Sequence, residues 1–346
     1  MKAVALTHYL PIDHPQALLD VDLPVPLPGP HDLLVKVQAI SVNPVDVKVR
    51  APKEKVEPHP RVLGWDAAGI VSQVGTAVTL FKPGDQVYYA GDVTRPGSNS
   101  EFQLVDERIV GAMPITLSFA EAAALPLTAI TAWEALFERL QIHPHNTPQD
   151  IAADQSRHKT LLIIGAAGGV GSLAVQLAAK LTGRTVIATA SRPQSQAWVR
   201  ALGAHHVIDH SQPLVPQLAA LGFQYVNDIL ILNHIDEHFQ AAAEAIAPQG
   251  KICTIIENQQ PLPIELLQAK SVAFLQEFMF TRSMYQTPDM IEQHHLLNRI
   301  AQLIDNGTIK TTLNKVFSPI NAHNLKSAHA EIEAGKVIGK IVLTDF

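Results

Sequence analysis

The sequence of 346 residues contains one cysteine, Cys253, and only 17% charged and 5% aromatic residues. A single cysteine excludes an internal disulfide and is typical of a reducing compartment, which predicts a cytoplasmic protein. The formal charge of −6 argues against a general nucleic-acid partner, because such proteins are normally basic. The apolar runs have the length of strands, so we expect no membrane span, and the N-terminus does not read as a signal peptide.

The pattern of apolar residues predicts two kinds of structure along the chain. Hydrophobic residues make up 47% of the sequence, and its length suggests about two domains. Residues 1 to about 126 indicate strands joined by irregular loops, whereas 160–256 alternate short apolar runs with helical patterns. Such alternation predicts a parallel, doubly wound sheet. Residues 119–140 have a helical pattern, and the polar segment 144–159 is expected to be a loop.

The most informative stretch is TLLIIGAAGGVGS at residues 160–172, where an apolar run leads into a glycine-rich turn and then a helical pattern. Strand, tight turn and helix are the context that a dinucleotide-binding fingerprint requires. Gly168 lets the backbone approach a pyrophosphate, and Gly171 lets the helix pack closely on the strand. The helix N-terminus then offers N–H groups to the phosphates. The predicted pyrophosphate-binding residues are Ala166, Ala167, Gly168, Gly169, Val170 and Gly171.

The end of the second predicted strand indicates which dinucleotide binds. An NAD site usually has an acidic residue about 20 residues after the glycines, to bind the ribose 2′-hydroxyl. Here Ser191 and Arg192 follow the strand, and no acid is present. A hydroxyl and a guanidinium would bind a 2′-phosphate that a carboxylate would repel, so NADPH is favoured. The alternative is that the two residues form only a solvated turn.

Several motifs, taken together, resemble the medium-chain dehydrogenase/reductase superfamily over essentially the whole chain. The closest resemblance is to its quinone-oxidoreductase branch and, within that, to bacterial proteins called zinc-type alcohol dehydrogenase-like. The motifs are SVNPVDVKVR at 41–50, VLGWDAAGIV at 62–71, FKPGDQVY at 81–88, AAALPLTAITAWEAL at 122–136, GAAGGVG at 165–171, APQGKI at 247–252, EFMFTRSM at 277–284 and IGKIVL at 338–343.

The resemblance implies an α/β fold with two domains. A GroES-like, β-rich catalytic domain would comprise residues 1–126 and 282–346, and a Rossmann NADP-binding domain would comprise residues 127–281. The resemblance also implies an active site in the cleft between them, a small-molecule substrate, and a homodimer that commonly forms through the edge of the Rossmann sheet.

Further cofactor contacts are implied by the same resemblance. Thr128 and Thr131 would lie near the nicotinamide, and Asn233 near its ribose. Phe278 stands at a position where, in members of the family, the chain passes the nicotinamide again. Lys340 would approach the cofactor phosphates.

The resemblance also bears on zinc. Zinc members of the superfamily carry an early cysteine and, some twenty residues later, Gly-His-Glu. This chain has Asn43 where the cysteine would fall and GWD at residues 64–66, and it lacks the four cysteines of the structural zinc lobe. Catalytic zinc needs about three protein ligands, which Asp46 and Asp66 alone do not supply. His59 is a conceivable stray ligand, but an ordinary loop histidine is the simpler interpretation. We therefore expect no metal.

Without a Lewis acid, hydride transfer to an activated acceptor is easier than alcohol oxidation. A quinone, or an alkene conjugated to a carbonyl, accepts hydride at carbon and places the charge on a remote oxygen, which needs hydrogen-bond donors and a proton source. In the family, segment 43–48 faces the nicotinamide, so Asn43 and Lys48 are candidate donors and Asp46 a candidate helper. The alternative is structural, with Asn43 and Asp46 capping a turn around Pro44. The proton donor stays open, and solvent can serve.

These observations favour an NADPH-dependent, metal-free oxidoreductase that reduces quinones or α,β-unsaturated carbonyls. One alternative is a zinc-type alcohol dehydrogenase with an unusual metal site, which stoichiometric zinc in the protein would favour. The other is a non-catalytic NADPH-binding protein, which only turnover assays separate from the enzyme. The sequence does not identify the substrate.

Overall fold

The protein is described by a computed structural model that covers residues 1–145, 147–154 and 158–346. By its internal contacts the chain divides into two compact units. Met1–Ile130 and Phe280–Phe346 form the first unit, and Thr131–Met279 forms the second. The assignment of a catalytic and an NADP-binding domain to these parts of the chain stays a prediction.

The secondary structure alternates between strand-rich and helix-rich regions. The strands are β1 (Lys2–Tyr9), β2 (Leu19–Asp22), β3 (Asp32–Val42), β4 (Lys53–Val62), β5 (Ala67–Val74), β6 (Gln86–Tyr89), β7 (Phe102–Asp106), β8 (Val110–Ala112), β9 (Thr160–Ile164), β10 (Thr185–Thr189), β11 (His206–Ile208), β12 (Val226–Ile231), β13 (Ile246–Thr254), β14 (Ala273–Gln276), β15 (Leu313–Phe317) and β16 (Lys340–Thr344). The α-helices are α1 (Pro44–Arg50), α2 (Phe119–Ala123), α3 (Pro126–Trp133), α4 (Pro148–Ala153), α5 (Gly169–Leu181), α6 (Pro193–Ala201), α7 (Leu214–Ala220), α8 (Ile235–Ala245), α9 (Thr281–Tyr285), α10 (Glu292–Asp305) and α11 (Ala322–Glu333). In the parts of the chain that the structure describes, no helix has both the length and the apolar character needed to cross a membrane.

The first unit is built on two sheets. One has the strand order β2-β1-β4, and the larger one has the order β15-β16-β3-β5-β6-β8, with β7 also paired to β3. The strands pair antiparallel except β15 and β16, which run parallel. Strand β16, near the C-terminus, lies against β3 with Ile341 opposite Val42. This register brings Lys340 beside the segment that follows β3, although the two lie almost 300 positions apart in the sequence.

The second unit contains a six-stranded parallel sheet in the order β11-β10-β9-β12-β13-β14. Helices between successive strands supply the parallel connections, so the predicted doubly wound sheet is confirmed. The central strand β9 is buried throughout, as expected for a sheet covered on both faces. Because all strands run in the same direction, the residues that follow them meet at one edge of the sheet. The order reverses between β9 and β12, and ligands bind at such a point in open α/β sheets.

Two of the predicted elements differ from the structure. The helical pattern of residues 119–140 forms three pieces, α2, α3 and the π-helix Glu134–Arg139, and the break comes at Pro126, which has no N–H to continue a helix. The predicted loop 144–159 contains α4, whose first turn is capped by Thr147: its Oγ1 accepts the N–H of Asp150. Asn146 and residues 155–157 of that loop lie outside the described residues.

Candidate functional site

The glycine-rich turn joins β9 to α5. It is closely packed at Gly165 and Gly171 but open at Gly168. Gly165 has φ +83°, and a Cβ there would lie 2.6 Å from Asn233 Oδ1. A Cβ on Gly171 would lie 2.5 Å from Ala166 Cα, so only glycine fits. At Gly168, by contrast, a Cβ would have only Gly165 O within 4 Å, at 3.8 Å. The backbone at Gly168 is therefore accessible to another molecule, as a pyrophosphate requires.

The first turn of α5 offers backbone donors to an anion. The helix begins after Gly168, and the leading N–H groups of an α-helix have no partner within the helix. Residues 167–170 are half-buried, whereas Ala166 and Gly171 are buried. The turn thus presents polar backbone at its rim and packs its small residues inside. This arrangement fits the phosphates of a dinucleotide.

Asn233 lies across the turn from Gly165. It follows β12, the neighbour of β9 at the point where the strand order reverses. Its Oδ1 is buried and accepts no hydrogen bond within the part of the chain that the structure describes. A buried acceptor left without a partner is costly, and a ribose hydroxyl would supply the missing donor. The residues of this sheet edge therefore fit a bound dinucleotide.

Ser191 and Arg192 follow β10, the other neighbour of β9. Both are half-buried, and Arg192 is the N-cap residue of α6. The backbone N–H of Arg192 donates to Ser195 Oγ at 3.2 Å, and Ser195 Oγ donates to Arg192 O at 2.9 Å. These bonds fix the backbone of the segment where an NAD site would carry an acidic residue.

A threonine and a histidine that the sequence analysis did not single out lie at the same sheet edge. The Gly165 N–H donates to Thr189 Oγ1 at 3.0 Å, and His210 Nδ1 lies 3.0 Å from the same hydroxyl oxygen. Thr189 ends β10, and His210 follows β11. The signal that could have found them was positional, since both lie at the carboxyl end of a predicted parallel strand.

The predicted nicotinamide contacts have different surroundings. Thr128 and Thr131 lie on α3 and are buried, and Thr128 Oγ1 donates to Leu125 O at 3.0 Å. Phe278 follows β14 and is 50% exposed. Their contacts with a nicotinamide stay predictions.

A second polar group, in the first unit, joins Asn43, Asp66 and Lys340, and is called here the Lys340 cluster. All three side chains are at most 3% exposed. The Lys340 ammonium donates to Asp66 Oδ2 at 2.8 Å, to Val42 O at 3.3 Å and to Asn43 Oδ1. The Asn43 amide donates to Asp66 Oδ2 at 2.8 Å and to Trp65 O at 3.3 Å. Every N–H of the ammonium and of the amide therefore has an acceptor.

Asp66 also connects the cluster to α3. Its Oδ1 accepts the N–H of Leu127 at 2.7 Å, in the first turn of that helix. Burial raises the pKa of Asp66, while the adjacent Lys340 ammonium and the donated hydrogen bonds oppose that rise. The carboxylate thus holds together β16, the segment after β3, and the helix that carries Thr128.

Asp46 caps the short helix α1 from the inside. Its Oδ2 accepts the N–H of Asn43 at 2.6 Å. This is the structural alternative given above, in which Asn43 and Asp46 cap the turn around Pro44. Burial raises the pKa of Asp46 to about 7, with Lys340 lowering it and Asp66 raising it further. Its Oδ1 is buried and accepts no hydrogen bond from the described residues. Asp46 is therefore partly protonated near neutral pH.

Lys48 differs from its neighbours because its side chain is exposed. Helix α1 is held at its start by the Asp46 cap and at its end by Arg50, which is 1% exposed. Arg50 donates to Leu10 O at 2.5 Å and forms an ion pair with Glu333. A short helix anchored at both ends thus carries Lys48 on its solvent-facing side.

The structure changes the expectations for two residues. Lys340 was expected to approach the cofactor phosphates, but its ammonium donates its three hydrogen bonds to Val42, Asn43 and Asp66. Asn43 was expected to donate to a substrate oxygen, but both of its amide N–H groups are used inside the cluster. Of the three predicted catalytic residues, only Lys48 has an exposed polar group.

The residues at the zinc-family positions do not fit a catalytic zinc ion. Trp65 stands in place of the histidine, and its indole N–H donates to Asp92 O at 3.1 Å. Asp66 already neutralises Lys340, whose ammonium would repel a cation at the same oxygen. Within the described ranges, no three His, Cys, Asp or Glu residues are grouped so that they could hold a metal.

Comparisons with known proteins identify the family of the chain. Residues 29–132 match the alcohol dehydrogenase GroES-like domain, and residues 202–343 match the zinc-binding dehydrogenase family. A zinc-type alcohol dehydrogenase-like protein of Staphylococcus aureus is 43% identical over 318 residues, 92% of each chain. The 2-methylene-furan-3-one reductase of Solanum lycopersicum is 37% identical over 99% of this chain and 79% of its own length.

Solved structures show the same fold. A candidate zinc-dependent alcohol dehydrogenase of Rhizobium etli CFN 42 has a TM-score of 0.93 and 52% identity, and the match covers 100% of this chain and 98% of that one. The quinone oxidoreductase of Coxiella burnetii has a TM-score of 0.80 and 25% identity, over 100% and 99% of the two chains. The predicted GroES-like and Rossmann folds are thus confirmed, and together they imply a nicotinamide cofactor and a small-molecule substrate. The chain belongs to the medium-chain dehydrogenase/reductase superfamily of oxidoreductases, in its quinone oxidoreductase-like branch.

Proposed function

We propose that this oxidoreductase uses NADPH to reduce quinones or α,β-unsaturated carbonyls, and that it does so without a metal. The observation that carries the proposal is the Lys340 cluster, in which Asn43 and Asp66, at two of the zinc-family positions, are bonded to each other and to the Lys340 ammonium. Such a group can neither bind a Lewis acid nor prepare an alkoxide. An acceptor that is already conjugated needs neither.

The preference for NADPH rests on the segment after β10. Ser191 and Arg192 occupy the position of the acidic residue of an NAD site, and both are half-buried. The two hydrogen bonds between Arg192 and Ser195 fix the backbone of the segment, so the position of the Arg192 Cα, from which the guanidinium side chain extends, is well defined. A guanidinium is well suited to a phosphate because it donates paired N–H groups in a plane.

When bound, the reduced nicotinamide supplies the hydride. The chain's own part is to hold the acceptor and to stabilise the negative charge that develops on its oxygen. We assign the second task to the exposed ammonium of Lys48, while Asn43 and Asp46 position it by fixing the start of α1. An ammonium near a developing oxyanion lowers the barrier by electrostatic attraction. Because Lys48 is exposed, water can supply the proton that completes the reduction.

The name of one relative supports this class of acceptor. The tomato enzyme at 37% identity is named for the reduction of a furanone that carries a methylene group, which is an alkene conjugated to a carbonyl. The names of the bacterial relatives point instead to zinc and alcohol. The residues at positions 43, 65 and 66 favour the first chemistry.

We also propose a cytoplasmic homodimer. Strand β14 is the last strand at one side of the parallel sheet, so its outer backbone groups have no neighbouring strand within this sheet. Edge strands of this kind invite pairing with another copy. Mass measurement in solution tests this directly, and a monomer at micromolar concentration would contradict it.

The proposed function is tested by NADPH consumption with a set of enones, alkenals and quinones, in the wild type and in Lys48→Met. We expect turnover of at least one acceptor, and a loss of roughly 10²-fold in Lys48→Met if the ammonium acts as an oxyanion donor. Lys180→Met, which changes an exposed helical lysine of the second unit, is the matched control. Failure of every acceptor would contradict the proposal, and full activity of Lys48→Met would contradict the role of Lys48.

A further inference from the structure

His210 contacts Thr189 at the edge of the parallel sheet that carries the glycine-rich turn. Its Nδ1 lies 3.0 Å from Thr189 Oγ1, and the same oxygen accepts the N–H of Gly165 at 3.0 Å. Gly165, Thr189 and His210 follow or end three adjacent strands, β9, β10 and β11. The ring is therefore tied, through one hydroxyl group, to the first residue of the glycine-rich turn.

The ring lies close to the segment that replaces the acid of an NAD site. The N–H of Ala190, directly before this segment, donates to Ile208 O at 2.9 Å, so the segments that follow β10 and β11 begin side by side. Arg192 also lowers the pKa of the His210 imidazole, but it is the weakest of the neighbours that act on it. Thr189 is completely buried, whereas His210 is half-buried, so the ring is fixed at Nδ1 and part of the residue is accessible to solvent. Because Nδ1 contacts Thr189, the second ring nitrogen is the atom that would meet a further ligand.

The other titratable groups around the ring come from the turn after β11 and from the start of α8. Asp209 precedes it and raises its pKa, but the Asp209 carboxylate also accepts two hydrogen bonds from Ser211 in its own turn. From the start of α8, His234 lowers the pKa of His210, and the ring of His238 lies 6.1 Å away. His234 itself faces Glu237 at 3.6 Å.

Burial is the largest cause of the lowered pKa of His210, followed by these neighbours. The imidazole is therefore neutral in the free protein at neutral pH. A phosphate group carries nearly two negative charges at that pH and favours the protonated form of a histidine within reach. A neutral 2′-hydroxyl has no such effect.

We propose that His210 is a specificity residue for the phosphorylated cofactor: held by Thr189 beside Arg192, it takes up a proton from solvent when the 2′-phosphate of NADPH binds, and it stays neutral when NADH binds. This inference rests on the NADPH preference proposed above. The gain for NADPH over NADH is then largest at low pH and shrinks as the pH rises, because a proton is bound together with the phosphate.

The direct test is isothermal titration calorimetry of NADPH and NADH at about pH 7.5 in two buffers of different ionisation enthalpy, which counts the protons taken up. We expect uptake of a substantial fraction of a proton for NADPH in the wild type, none for NADH, and none for either cofactor in His210→Gln. The 2′-phosphate has its own pKa near 6 and would release a proton on binding to a cation. The difference between wild type and His210→Gln removes that contribution.

Affinity gives a second readout that does not depend on turnover. Between about pH 6.5 and pH 8.5 we expect the wild type to lose roughly tenfold in NADPH affinity, and His210→Gln to lose much less. His205→Gln is the control, because burial also lowers the pKa of His205, which is more exposed than His210, but its Nδ1 accepts the N–H of Val186 at the start of β10. Thr189→Val should weaken proton uptake, and Thr189→Ser should restore it.

The outcomes separate this inference from the proposed function. If NADPH binds better than NADH but without proton uptake, or with equal uptake in His210→Gln, the inference is wrong and the cofactor preference stands. If the wild type binds NADPH no better than NADH, the cofactor preference fails, and the role of His210 fails with it.

Discussion

The ammonium of Lys340 lies 2.8 Å from the carboxylate of Asp66, and at most 3% of either side chain is exposed. The pair joins the last strand of the chain to the segment 64–66, where the resemblance implies Gly-His-Glu in zinc members of the superfamily. A buried ion pair of this kind contributes little net stability, but removing one partner leaves an uncompensated charge. Loss of either partner is therefore expected to have measurable consequences.

Lys340→Met should destabilise the protein strongly. The substitution leaves Asp66 buried without its cation, and losses of about 3–5 kcal/mol in the free energy of unfolding are typical of such changes. Chemical denaturation of the two proteins measures the difference. The double variant Lys340→Met with Asp66→Asn should recover part of the loss, since it removes the unpaired charge. If Lys340→Met were as stable as the wild type, the ion pair between Lys340 and Asp66 would not contribute to stability in this way.

The stability of the protein should also report the raised pKa of Asp46. In the unfolded chain this carboxyl has its ordinary pKa near 3.8, whereas the folded value is about 7. The folded state therefore binds one proton more between these pH values, so the free energy of unfolding falls as the pH rises from about 4 to 7. In Asp46→Asn, the fall should be smaller by up to ~4 kcal/mol. Identical pH profiles by chemical denaturation would contradict the raised pKa.

The sequence predicted the parallel sheet and its glycine-rich turn because their signals are local: an apolar strand, a turn and a helix follow one another within thirteen residues. The break at Pro126 was missed, although proline lacks the N–H that a helix needs and is a local signal for such a break. The Lys340 cluster was not predictable, because Lys340 meets Asn43 only through the pairing of β16 with β3. Burial of Asn43 was missed for the same reason, and with it the use of its amide by Trp65 and Asp66.

The contact between Thr189 and His210 shows the same limit. Each residue ends or follows a strand that the sequence indicated, but their side chains meet only because β10 and β11 are neighbours in the sheet. The strand order is a property of the whole fold rather than of either segment.

Cofactor preference should depend on Arg192. We expect the wild type to bind NADPH at least about tenfold better than NADH, about 1.4 kcal/mol. Arg192→Ala should remove most of this preference and leave NADH affinity nearly unchanged, because the side chain would contact only the 2′-phosphate. Titration calorimetry with both cofactors measures it. Equal affinities in the wild type would contradict this prediction and would favour the alternative, in which Ser191 and Arg192 form only a solvated turn.

Asn43→Ala should lower the stability of the protein, whereas Lys48→Met should lower its turnover. Asn43 is buried and bonded to a charged carboxylate and a charged ammonium, so its loss should lower the free energy of unfolding by about 1–3 kcal/mol. Lys48 is exposed, so its substitution should leave stability unchanged and lower turnover. Unfolding curves and steady-state rates of both variants test the division. Loss of stability in Lys48→Met, or none in Asn43→Ala, would reverse these roles.

The central claim is that the Lys340 cluster takes the place of a catalytic zinc ion, so the chemistry is reduction of a conjugated acceptor. The most direct measurement compares, in protein treated with a chelator and checked by elemental analysis, the rate of enone or quinone reduction with NADPH and the rate of ethanol or benzyl alcohol oxidation with NADP⁺. We expect no stoichiometric zinc, an unchanged rate of reduction after chelation, and alcohol oxidation far slower than reduction. One tightly held zinc ion per chain, lost together with activity, or alcohol oxidation faster than the reduction of any enone or quinone, would contradict the claim.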